Sequence, residues 1–85
     1  VTGPQIIRPL VIRHVDSETP AGLVDGINTT YTTQYKFHGD TLAVYLNGLK
    51  LRKGATNDYI IIDNQTFIMN YAPTTGDVLL VDYVR

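Results

Sequence analysis

Residues 42–52 read Leu-Ala-Val-Tyr-Leu-Asn-Gly-Leu-Lys-Leu-Arg, and this stretch restricts the fold more than any other. Asn47-Gly48 supplies two residues that tolerate positive φ, as a type I′ hairpin turn requires. With those two as the loop, Leu46 faces Leu49 and Val44 faces Leu51. Leu42, Val44, Leu46, Leu49 and Leu51 then share one face of the hairpin. Ala43, Tyr45, Lys50 and Arg52 share the other, with Tyr45 opposite Lys50 and Ala43 opposite Arg52. A slip of one residue would send all five apolar side chains to solvent, so the register is strongly specified.

A second hairpin follows over Tyr59–Asn70, turning at Asp63-Asn64-Gln65. A two-residue loop would set Gln65 beside Ile60, Ile62 and Phe67. A three-residue loop groups Tyr59, Ile61, Phe67 and Met69 on one face and Ile60, Ile62 and Ile68 on the other. The second register buries no glutamine and is preferred, and it leaves both faces apolar. The last strand, about Val78–Val84, behaves alike: Leu79, Val81 and Tyr83 alternate with Val78, Leu80, Asp82 and Val84. Thr29–Tyr35 alternates well enough for a further strand. Ile6–Val15 has strand character but carries Pro9, which cannot donate to a ladder, so it reads as an edge strand or an extended arm. Asp16–Gly22 reads as a linker or long loop. No apolar pattern repeats at 3.6 residues, so no helix of useful length is predicted.

These elements predict an all-β fold: a small antiparallel β-sandwich or partly open barrel of six to seven strands with an extended N-terminal arm. The predicted division is an extended arm, or an edge strand with linker, over 1–20 and a β-sandwich domain over 21–85. Eighty-five residues make one domain with a modest core, and without cysteine no disulfide or thiolate site supports it. Stability from oligomerisation fits that size. Removing Val1–Pro20 is expected to leave a folded sandwich that has lost its partner.

The net charge of −1 lacks the basic excess of a nucleic-acid footprint, so no nucleic acid is predicted as a partner. No apolar run approaches the ~20 residues of a membrane span, so no membrane is predicted either. His14 and His38 share no ligand spacing with other donors, and no EF-hand pattern is present. Asp25, Asp40, Asp58, Asp63 and Asp77 fall at turns and strand ends, where aspartate bonds nearby backbone amides. The only serine, Ser17, has no nucleophile-elbow context, and neither GxGxxG nor GxxxxGK[ST] occurs. No catalytic residue, metal site or cofactor is predicted.

Two surfaces stand out. Tyr45, Lys50 and Arg52 form a candidate glycan contact, since tyrosine stacks on sugar faces and the cations hydrogen-bond; a cross-strand aromatic–cation pair that holds the hairpin explains the same residues. The outward Ile60, Ile62 and Ile68, with Val78 and Leu80, break the rule that outer sandwich positions are polar, and they predict a partner interface. Ile6, Ile7, Leu10 and Ile12 of the arm belong to the same predicted interface. Folding back of the arm over those isoleucines is the competing explanation.

From Asp25 to Tyr83 the order runs DG-N-TTYT, then LAVYLNGLKLRKG, then DY, then TFIMNYAPTTGDVLLVDY. This string resembles the small β-sandwich modules that recur in structural proteins of tailed bacteriophages. It covers most of the chain and leaves out residues 1–20. Members often carry Thr or Ser at outward positions where this chain has Ile60, Ile62 and Ile68. The resemblance implies a non-catalytic role on the virion exterior after synthesis in the host cytoplasm. A small capsid decoration or accessory protein, or a fibre, neck or tail attachment module, would fit. Its partners would be other virion proteins and copies of itself, with a trimer favoured. A carbohydrate-binding adhesin module that touches the host surface is the alternative.

Overall fold

The computed structural model describes residues 13–85, so the predicted arm residues Ile6, Ile7, Leu10 and Ile12 lie outside the described residues. The described chain is all-β, a small antiparallel β-sandwich. Its strands are β1 (His14–Glu18), β2 (Thr30–Thr32), β3 (Ala43–Leu46), β4 (Leu49–Lys50), β5 (Tyr59–Ile61), β6 (Thr66–Met69) and β7 (Leu79–Val84). One sheet has four strands in the order β1-β7-β3-β4, and the other has three in the order β2-β6-β5.

The β3–β4 hairpin forms as its sequence dictates. Tyr45 pairs with Lys50 and Leu46 with Leu49, and Asn47 and Gly48 take φ of 52° and 84°. The β5–β6 hairpin adopts the three-residue loop, with Tyr59, Ile60 and Ile61 opposite Met69, Ile68 and Phe67. Asp63 closes that loop by accepting the Gln65 N–H at 2.9 Å.

Each sheet delivers alternate residues to one core. Val44, Leu79, Val81 and Tyr83 come from the four-stranded sheet, and Tyr31, Tyr59, Phe67 and Met69 from the other. Phe67 lies at the centre, stacked on Tyr31 at 5.7 Å between centroids and edge-on to Tyr59 at 6.0 Å. Gly22 lets the chain pass over this aromatic group. A Cβ there would lie 2.7 Å from Tyr31 Cδ1 and 2.8 Å from the Thr30 carbonyl oxygen, and its φ is +142°. Gly22→Ala is expected to destabilise the protein by about 2–3 kcal/mol, read as a shift in urea midpoint, because neither the backbone nor the ring can move away cheaply.

Three expectations are corrected. Asp16–Glu18 is part of β1, an edge strand on β7, and not a linker. Its polar residues read as a loop because their bonding partners lie 65 residues away: the Ser17 N–H donates to Asp82 Oδ1 and the Tyr83 hydroxyl to Glu18 Oε1. The sandwich therefore includes His14–Glu18 and does not start at residue 21. Leu49 faces inward in register yet is 72% exposed, because β4 is two residues long and the core ends at Leu46 and Leu79. The strand predicted over Thr29–Tyr35 stops at Thr32, where the Thr33 N–H turns to the Gln65 carbonyl and its hydroxyl donates to the Tyr35 carbonyl at 2.6 Å.

Candidate functional site

The outer face of the three-stranded sheet is built by register alone. Thr30 pairs with Ile68 and Ile68 with Ile60, which makes one row across the strands. Thr32 pairs with Thr66, and the Ile62 N–H donates to the Thr66 carbonyl at 3.0 Å, which makes a second row. All six side chains are β-branched and none is charged. Ile62 is 54% exposed, whereas Ile60 and Ile68 are half-buried. A flat, stiff, uncharged face of this kind suits packing against another surface, because little rotamer entropy is lost on contact.

Val78 and Leu80 do not join this face. Leu80 pairs with Tyr45 on the outer side of the four-stranded sheet, across the core from the isoleucines, and Val78 shares its parity just before β7. The predicted interface thus divides between the two faces of the sandwich. Tyr45 and Lys50 pair across the hairpin as expected, and Tyr45 lines a shallow hollow of about 350 Å³ with Ser17, Gly48, Leu80 and Asp82, which Lys50 does not line. Arg52 does not meet Ala43. Its backbone leaves the hairpin and is held by Asp58, whose Oδ2 accepts the Arg52 N–H at 2.8 Å.

The polar residues of the sequence string are largely occupied within the fold. Asn47 Nδ2 donates to Asp77 Oδ1 at 3.0 Å, and Asn47 Oδ1 accepts the Val78 N–H at 2.8 Å. Asp77 Oδ2 accepts the Thr74 N–H and hydroxyl. Asp25 Oδ1 accepts the N–H groups of Ile27 and Asn28. Asn70 Nδ2 donates to three carbonyls of the 54–57 turn.

Sequence reasoning missed one end of the sandwich. The 23–28 loop is tied to the β6–β7 connection through Gly26 N–H and the Pro73 carbonyl, and that connection is tied to the β3–β4 turn through Asn47. Leu23, Ile27, Leu49 and Val78 are exposed on these joined loops, Ile27 at 84%. Nothing in a Gly- and Asp-rich loop signals that its apolar residues will stay outside.

A second cleft, about 470 Å³, has Asp40, Lys53, Asp63 and Asn64 at its rim over Phe37 and Ile61. Lys53 Nζ bonds Asp40 at 2.7 Å and holds that carboxyl below its usual range. The Gln65 N–H does the same for Asp63. Both carboxylates are stabilised as anions, the form that accepts hydrogen bonds. Among the described residues no cluster of three or more His, Asp or Glu side chains is placed to hold a metal ion, and no helix is long and apolar enough to cross a membrane.

The ionisable groups predict how stability follows pH. Burial raises Tyr31, Tyr59 and Tyr83 above the ordinary 10.0, and for Tyr83 the bond to Glu18 adds to it. A folded pKa above the unfolded one gives stability that is complete below pH 10.0 and lost as pH rises through the folded values. Asp25, Asp40, Asp63 and Asp77 are lowered from 3.8 by the bonds described, so their smaller contributions are lost as pH falls below that value. Melting temperature is expected to stay flat across neutral pH and to fall steeply above pH 10, and Tyr31→Phe should blunt the alkaline fall. A fall already complete by pH 9 would contradict these assignments.

Compared with protein-family models, curated proteins and solved structures, the chain gives no match.

Proposed function

We propose that this protein is a non-catalytic structural module of a tailed-bacteriophage virion, displayed on the particle exterior. It would serve as a small decoration or accessory protein, or as a fibre or tail attachment module, and assemble with copies of itself and with other virion proteins. The phage assignment is supported by the string from Asp25 to Tyr83, and the assembly role by the uncharged face of Thr30, Thr32, Ile60, Ile62, Thr66 and Ile68. That face carries the proposal, because the fold does not need isoleucine on it: the core is complete on the opposite side of the same strands.

The test is solution mass by light scattering, on the intact protein and on Ile60→Asp/Ile62→Asp/Ile68→Asp. The intact chain is expected to be an oligomer, with a trimer favoured, and the triple variant a folded monomer. Each charge placed in a packed apolar contact costs several kcal/mol, enough to shift dissociation by several orders of magnitude. A monomeric intact chain would remove self-assembly, and an unchanged oligomer in the triple variant would remove this face.

The second reading is a carbohydrate-binding adhesin module. It is favoured by the hollow at Tyr45, where an aromatic ring, the Ser17 hydroxyl and the Asp82 carboxylate share one lining, with Lys50 on the neighbouring strand. Loss of glycan binding in Tyr45→Ala would support it, and a glycan screen without hits would end it.

A further inference from the structure

β1 is held differently from its neighbour β7 and from the strands that fill the core. Its single inward apolar side chain is Val15, half-buried at the margin of the core, and its other positions are His14, Asp16, Ser17 and Glu18. The buried cluster is made of residues from Tyr31 to Tyr83 and includes none from β1. What holds β1 is a set of hydrogen bonds. Its ladder pairs His14 with Val84, Val15 with Tyr83 and Glu18 with Val81, and Asp16 and Ser17 on β1 oppose the single residue Asp82 on β7 at the bulge. The Ser17 N–H donates to Asp82 Oδ1 at 2.7 Å, the Tyr83 hydroxyl to Glu18 Oε1 at 2.6 Å, and the Gln34 N–H to Glu18 Oε2 at 3.0 Å. Ser17 sits at φ of 53°, a conformation unfavourable for a residue other than glycine.

The edge of β7 has the opposite character. Val81 and Tyr83 are buried, and their backbone groups require a partner strand. Only Thr19-Pro20 links β1 to Ala21, which is fixed by two hydrogen bonds to Thr32. The residue before proline is driven away from the helical region towards extended backbone, so this hinge favours a straight path. A short, stiff hinge next to a weakly buried edge strand is the arrangement that invites exchange between copies.

We propose that β1 is an exchangeable strand, and that the edge of β7 is a docking surface for β1 of a second copy. Every bond that β1 makes to β7 within one chain would re-form between chains. Exchange can be reciprocal in a pair or cyclic in a ring. The inference rests on the assembly reading above and adds a second contact, in the four-stranded sheet, to the one made by the isoleucine face, both being needed for a stable assembly.

The protein contains no cysteine, which allows a direct test. His14 and Val84 are paired across β1 and β7 and point to the solvent side, with Arg13 and Arg85 bonded beside them at 2.9 Å. Such a pair is close enough for a disulfide. His14→Cys and Val84→Cys are made as separate full-length chains, unfolded, mixed in equal amounts, refolded and oxidised. Exchange predicts that about half of the chains run as covalent dimers on a non-reducing gel, the share expected for random mixing in a closed assembly. The double variant, in one chain, should then give interchain links. Inserting Gly-Ser-Gly after Thr19 should lower the interchain yield at least fivefold by relaxing the hinge. Exchange is overturned if the mixed single variants stay uncrosslinked while the double variant closes within its own chain. Light scattering on that closed variant separates the two ideas: an oligomer leaves the assembly reading standing, and a monomer removes both.

Discussion

Phe67→Ala is expected to remove a large part of the stability of this protein. The ring is fully buried and contacts Tyr31 and Tyr59, one face-on and one edge-on, so truncation leaves a cavity between aromatic walls that cannot close on it. A change of this kind costs about 3–5 kcal/mol. At roughly 0.05–0.15 kcal/mol per residue, a chain of this length holds only about 4–13 kcal/mol. Urea denaturation followed by circular dichroism gives the measurement, and the midpoint should fall by roughly 2 M or more. Leu49→Ala supplies the contrast. The hairpin pattern alone ranks Leu49 with the core, but its exposure predicts a change within about 0.5 kcal/mol. Equal losses for the two variants would show that the core is centred elsewhere.

The second large effect is deletion of residues 1–20. From sequence the deletion is expected to leave a folded sandwich that has lost its partner, but the structure places an edge strand of the sandwich inside the deleted segment. Ordering β1 offsets much of what its bonds contribute, so the cost lies in what the deletion leaves behind. The buried Val81 and Tyr83 lose their ladder partners, and the Tyr83 hydroxyl loses Glu18 while still accepting the Tyr35 N–H. Unmade bonds at such a margin cost about 2–4 kcal/mol together. That corresponds to a fall in melting temperature of roughly 10–25 °C for a domain of this size. A synthetic peptide of residues 13–20, added in excess, should restore part of the loss by filling the edge. An unchanged melting temperature in the deletion would show that β7 needs no partner.

The parts of the fold that could be read from the sequence were those governed by short-range rules. Asn47-Gly48 fixes one hairpin by its φ requirements, and the cost of burying Gln65 fixes the loop of the other. The alternation in Leu79–Val84 fixes which side of β7 is core. The parts that could not be read depend on distant residues. Glu18 is fixed by the Tyr83 hydroxyl and the Gln34 N–H, and the Ser17 backbone by the Asp82 carboxylate, and no local pattern can show that. The exposure of Leu49 depends on where the opposing sheet ends. At the candidate site, period-two alternation correctly set Ile60, Ile62 and Ile68 on one face. It could not say that Val78 and Leu80 lie on the other sheet, because strand order is a property of the whole chain.

The string that carries the phage resemblance has a related lesson. Asn47 of the first turn and Asp77 of the last are hydrogen-bonded to each other, so two motifs separated by 30 residues act as one joint. The string specifies how the sandwich closes.

The antiparallel pairing of β1 and β7 also fixes how this protein would respond to force. The chain passes through Arg13 and Arg85 side by side, joined by one backbone hydrogen bond. Tension applied through these two points would not shear the sheet, in which many bonds resist together. It would peel β1 from β7, opening one bond after another from His14 towards Glu18. A module threaded this way is mechanically soft along its own chain. Load passed across the module, rather than along its chain, would have to travel through the broad faces of the two sheets.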